Sequence, residues 1–312
     1  MVFGVSVLDI ALRVSFSQRG NSMTAADSLY HYCKAETFVS MISSRAIWLS
    51  SLSLSNDTME GRLVKATIMR FAERDGLEAR ARERLQESLA FTERAFDGLG
   101  FCLSEDGDLL SQWRGYADDA RGVSVGFSRA YLECLADSTR GGEKSGFAIY
   151  KVEYEPVAQE SEVGPTYHEL RKLIDAGAFK RPGISSLLDS RTPDQIAADD
   201  QEIKKAHTAL VFKLLELFPK FYKLKASAFR EEREWRLVSM HVANGSDECL
   251  FRASAGRVIP YRSFELLPQS VPPFGEIVLG PRHETPPDVI QSMLKQAGFG
   301  EVEVRRSEAT YR

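Results

Sequence analysis

The sequence predicts an α+β protein with a mixed or antiparallel central sheet flanked by helices. Two observations carry this expectation. Short β-friendly segments closed by turn formers recur along the 312 residues. Helical segments fall between them irregularly instead of alternating strictly with strands. No internal repeat or low-complexity linker interrupts the chain. Residues 27–312 therefore read as one domain, behind a poorly ordered leader over residues 1–26.

The elements follow from local pattern. In SLYHYC, Leu29, His31 and Cys33 alternate with Tyr30 and Tyr32, as a strand requires. AETFVSMISSR sets Phe38, Met41 and Ile42 at helical spacing, and AIWLSS returns to strand character. LSLSNDTMEG is a turn-rich loop in which Asn56 or Asp57 can cap the next helix. From Glu60 to about Ala95 the pattern is helical with a break near Asp75-Gly76, and its alternating charges suit a solvated face. GLGFCLSE, GVSVGFS and SGFAIYKVEYEP read as strands, with a short helix at DLLSQWRGYA. Residues 157–200 show no decisive pattern and are rich in loop formers around KRPGISS and SRTPDQ, and a helix follows from Asp199 to Phe218. Near the end, strands are expected at RVIPYR, GEIVLG and VEVRRS, with a proline-started helix at PPDVIQSMLKQAG.

Composition narrows the function classes. With 43% hydrophobic and 27% charged residues the chain can bury a sizeable core, and its net charge of −4 argues against broad attraction to nucleic acid or anionic membrane. Four scattered cysteines form no CxxC pair, which suits reduced thiols in the cytoplasm. No segment has the length and apolarity of a membrane span. There is no GxxxxGK[ST] loop, GxGxxG turn, GxSxG elbow or HExxH helix, so no metal site or tightly bound cofactor is expected.

Four polar clusters remain as candidates. His31 and Tyr32 lie in a strand that offers hydrogen bonds and ring surfaces, although a lone strand histidine also serves as a satisfied core residue. Asn56, Asp57 and Glu60 follow a strand, and helix capping accounts for the first two equally well. Ser104 and Glu105 leave an apolar strand just before Trp113 and Tyr116, which suit either a pocket wall or a packed corner. AFREEREWRLV, Ala228–Val238, is the densest in charge. Read as a strand, it sets Glu232, Glu234 and Arg236 on one face, where the two carboxylates repel and burial should raise at least one pKa. A purely structural Glu–Arg pair is the other reading.

Taken in order, LYHYC, IWLSSLSLSND..E, FCLSE.GDLLSQWRGYADDARGVSVGF, YKVEY, K...F.EEREWRLV from Lys225 and the VLGP turn resemble the DUF2971 family of uncharacterised bacterial proteins. The resemblance runs from about Leu29 to Pro281, with an echo in the closing RRSEATYR. Thr58 stands where the family usually has proline, and Ala226 where a histidine commonly follows the lysine. LYHYC and EREW also resemble the first and last motifs of ADP-ribosyltransferases of the His-Tyr-Glu kind. That second resemblance implies NAD as substrate, His31 on the nicotinamide ribose or its amide, an aromatic ring on nicotinamide, Glu234 as catalytic acid and Glu232 orienting an acceptor, small or macromolecular. It implies an ADP-ribosyltransferase-like fold and a pocket shared by His31 and Glu234. Two alternatives stay open. One is a metal-dependent nuclease built on Asp57, Glu105, Glu232 and Glu234. The other is a non-enzymatic sensor lined by Trp113, Tyr116 and Trp235.

Overall fold

The computed structural model describes residues 28–54, 61–139, 145–181, 191–243, 248–254 and 256–311. The expected leader and the Asn56, Asp57 and Glu60 cluster lie outside the described residues. One open mixed sheet forms the frame. Its strands are β1 (Ser28–Cys33), β2 (Ala46–Ser51), β3 (Phe96–Ser104), β4 (Val123–Ser128), β5 (Ala148–Lys151), β6 (Glu234–Val242), β7 (Leu250–Ser254), β8 (Arg257–Glu265), β9 (Phe274–Leu279) and β10 (Glu303–Arg306). They run in the order β10-β9-β4-β1-β3-β2-β8-β7, while β6 joins the other edge of β3 and carries β5. Only β10 and β9 pair in parallel among these strands.

Helices cover both faces. On one lie α1 (Ala35–Ser44), α5 (Arg129–Ser138) and α9 (Pro287–Gln296), which pack Phe38, Met41, Leu132, Leu135, Ile290 and Leu294 against Leu29, Phe101, Val125 and Leu237. On the other lie α2 (Arg62–Arg74), α3 (Ala79–Ala95), α6 (Pro156–Asp175), α7 (Pro193–Leu215) and α8 (Phe218–Lys223). There Ile68, Leu89, Tyr167 and Leu210 close over Val238. The short α4 (Leu110–Tyr116) covers the rest of this second face, with Trp113 against Tyr32. Apolar burial of this kind, at about 25 cal/mol per Å², is the main driving term.

Several expectations need correction. The stretch without a decisive pattern from 157 onward begins with the 20-residue helix α6, started by Pro156 and containing Pro165. Pro and Gly are only weak priors against helix when Val163, Tyr167, Leu170 and Ile174 supply a buried face. The helix expected from Asp199 begins earlier, at Pro193, because Thr192 just before it forms a capping box with Gln195. It ends at Leu215, and α8 follows separately. The strand read over SGFAIYKVEYEP is confined to Ala148–Lys151. AFREEREWRLV is not one strand either. Ser227–Glu232 is a 3-10 turn, Arg233 takes a left-handed conformation at φ 43°, and β6 starts only at Glu234.

Candidate functional site

Register decides which candidates meet. Tyr30 pairs with Ser104, and Ser104 with Glu234, so these three side chains stand on one face of β1, β3 and β6. Arg236, paired with Cys102, follows on the same face. His31 is the next residue along β1 after Tyr30, and the pleat turns it to the opposite face. There its ring stacks on Phe101 with centroids 3.9 Å apart and its Nδ1 lies 2.8 Å from the Cys102 carbonyl. Burial lowers its pKa to about 4, against the opposing pull of that carbonyl. The expectation of one pocket shared by His31 and Glu234 is therefore overturned: the sheet itself lies between them.

Glu105 also points away. Its Oε1 accepts from Lys151 Nζ at 2.6 Å and Trp235 Nε1 at 2.9 Å, on the face that holds His31. Burial opposes its charge, but the Lys151 and Trp235 hydrogen bonds outweigh this and lower its pKa. The acids named for a nuclease are thus divided between two faces, apart from Asp57, which lies outside the described residues. Among the described residues no three His, Cys, Asp or Glu side chains gather where they could hold a metal ion.

What does come together is a buried tetrad. Lys225 Nζ donates to Glu232 Oε2 at 2.7 Å and to Glu234 Oε2 at 3.0 Å. Arg236 grips Glu234 with two bonds, Nε to Oε1 at 2.7 Å and Nη2 to Oε2 at 3.0 Å, and sends Nη1 to the Tyr222 carbonyl at 3.1 Å. Arg236 is 1% exposed and Glu234 6%, so these charges interact with little screening by water. Although Glu232 and Glu234 are not on one strand, the left-handed Arg233 between them lets both carboxylates reach the same ammonium.

The two carboxylates differ in proton affinity. Burial pushes Glu234 up, but Arg236 and Lys225 overcome it and bring its pKa down to about 2. Burial also raises Glu232, where Lys225 offsets it only in part and Glu234 adds repulsion, so its pKa ends above the ordinary value. That is the rise the sequence reading anticipated for one of the pair. Burial works against charge on Lys225, yet Glu234 and Glu232 together raise its pKa. Burial and the negative Glu232 push the Tyr116 hydroxyl up to about 12. The Tyr116 ring remains half exposed at the end of α4.

Ser104, Tyr32 and Trp113 serve the frame around this cluster. Ser104 Oγ donates to the Glu232 carbonyl at 2.8 Å. Tyr32 Oη donates to the Asp106 carbonyl and accepts from the Leu109 amide, both at 2.8 Å, which ties down the loop before α4. Trp113 is wholly buried and donates Nε1 to Asp108 at 2.7 Å. Sequence reasoning missed Tyr154, whose hydroxyl accepts from the Glu234 amide at 2.9 Å, and Phe229, whose ring lies 5.0 Å from Lys225 Nζ. Both stand inside motifs already quoted, YKVEY and K...F.EEREWRLV. Nothing local shows that they converge.

The molecule is thus an open mixed-sheet protein, helices on both faces, with a charge cluster on one face where β6 begins. Residues 112–237 match the family model described as "Protein of unknown function (DUF2971)". The match takes in Tyr116, Lys225, Glu232, Glu234 and Arg236 and stops short of His31, Ser104 and Glu105. No curated protein and no solved structure matches the chain. Among the described residues no helix is long and apolar enough to cross a membrane.

Proposed function

We propose that the tetrad is an acid–base site that cleaves an N-glycosidic bond, with NAD as the substrate and nicotinamide as the leaving group. The observation that carries this reading is the divergence of two neighbouring carboxylates, Glu234 held ionised and Glu232 raised in proton affinity. Environments that push paired acids apart assign them different roles. Glycosidic cleavage uses both: a fixed anion near the positive charge that develops on the ribose, and a second carboxyl that manages a proton on water or another acceptor. Glu234 suits the first role and Glu232 the second. The half-exposed Tyr116 offers a surface for a planar ring, and His31 takes no part.

A second reading has its own support. Both oxygens of Glu234 already accept hydrogen bonds from Arg236 and Lys225, which favours a ligand-binding module without turnover. Purified protein incubated with NAD⁺, followed by nicotinamide release, separates the two. The enzymatic reading expects release that falls ~10²–10³-fold in Glu232→Gln. Equal rates in wild type and Glu232→Gln would remove it, and saturable NAD⁺ binding without release would install the second.

A further inference from the structure

Residues 305–311, RRSEATY, have no role in the reading above, yet their side chains are built into the neighbourhood of the site. Asp108 is the junction. Its Oδ1 accepts from Trp113 Nε1 at 2.7 Å and from the Ser307 hydroxyl, and its Oδ2 accepts from the Glu308 amide at 2.7 Å. Further along, the Tyr311 ring lies between Arg114 and Arg282, each guanidinium carbon 5.3 Å from its centroid. The Tyr311 hydroxyl bonds Asp119. Ala309 and Tyr311 pack on the cluster that contains Tyr32 and Trp113. The segment thus straps α4 to the sheet.

From Asp108 a continuous set of hydrogen bonds leads to Glu232. The Asp108 amide donates to Asp106 Oδ1 at 3.0 Å, and Asp106 Oδ2 accepts from Arg233 Nη2 at 2.6 Å. The Asp106 amide donates to Ser104 Oγ at 3.1 Å, and Ser104 Oγ donates to the Glu232 carbonyl at 2.8 Å. The Glu105 amide closes the circuit on the Arg233 carbonyl at 3.1 Å. Arg233 is where support is needed, since a left-handed non-glycine residue persists only when its surroundings hold it there.

We infer that Ser307–Tyr311, acting through Asp108, is a positioning strap that holds the Arg233 bend and so sets the Glu232 carboxylate against Lys225. This rests on the site proposed above only for its consequence in catalysis; the mechanical link from strap to bend stands without it. Removing the strap leaves the sheet intact and loosens the 104–109 loop and the 230–236 segment together.

Hydrogen–deuterium exchange on the full chain tests this. In Tyr311→Ala and Asp108→Asn, amides of 105–109 and 233–234 are expected to exchange roughly tenfold faster or more, as expected when hydrogen bonds to a charged group are lost. β4 and β9 should keep their protection. Tyr311→Phe, which keeps the ring between the two arginines, should restore protection of 233–234. Unchanged exchange at 233–234 in both disruptive variants overturns the inference. Acceleration spread evenly over the sheet also overturns it, because Asp108 and Tyr311 would then be general stabilisers. The readout needs no NAD⁺: faster exchange at 233–234 in a protein that never releases nicotinamide keeps the strap and removes the enzymatic reading.

Discussion

The two faces of the sheet at β1, β3 and β6 hold polar residues in opposite ways. On one face His31 sits against Phe101 and is kept neutral by burial. On the other, Glu234 stays ionised between Arg236 and Lys225. Burial disfavours charge in both places. The isolated group gives up its charge, while the paired Glu234 keeps its own through attraction to its partners. A polar side chain therefore becomes a site candidate through its neighbours more than through its own chemistry.

Arg236→Met sharpens that contrast most strongly. It strips Glu234 of its two-pronged partner and should destabilise the protein by about 3–5 kcal/mol, read as a lowered urea midpoint at pH 7. A loss under about 1 kcal/mol would mean that water reaches the tetrad.

The acid limb comes next. The folded pKa of Glu234, about 2, lies below its ordinary value of 4.5, so its ionisation stabilises the fold above pH 4.5 and this is lost as pH falls toward 2. The shift corresponds to on the order of 3 kcal/mol. Denaturant stability followed from pH 5 to pH 2.5 should fall more steeply in wild type than in Glu234→Gln. Parallel curves would show that Glu234 is not held ionised.

His31→Phe probes the neutral face. Losing one hydrogen bond to the Cys102 carbonyl should cost about 1 kcal/mol, with NAD⁺ turnover or binding unchanged. A variant that folds normally but loses either function would return His31 to the site. The smallest effect is expected at the surface. Arg230 and Glu155 pair at 2.7 Å with both side chains 60% exposed, and Arg230→Ala should shift stability by less than ~0.5 kcal/mol. A larger loss would indicate that the 3-10 turn leans on this bridge.

Much of the fold was legible because its signals are local. The alternation in SLYHYC assigned Leu29, His31 and Cys33 to one face and both tyrosines to the other, and β1 is built that way. The helix break at Asp75-Gly76 and the proline start of α9 are where the sequence puts them. The capping strength of Thr192 and the buried face of α6 were local too, but loop-forming neighbours masked them. The charge-dense stretch at Glu232–Arg236 is where the chain gathers Lys225, Glu232, Glu234 and Arg236. Its backbone did not follow from the sequence, since a left-handed Arg233 depends on Asp106 and Ser104, more than a hundred residues earlier.

By itself the sequence determined a mixed or antiparallel sheet with its helices, the alternation along β1, and a dense run of charges where a tryptophan-bearing strand begins. These are properties of neighbours along the chain, set by periodicity and turn chemistry. Only the tertiary structure decided that Glu234 faces Ser104 and Tyr30 instead of His31, that Lys225 serves both glutamates, and that Ser307–Tyr311 bears on the same corner. Those facts depend on the register of β1, β3 and β6 and on which distant segments share a face. A shift of one residue in that register would reverse every side chain of a strand.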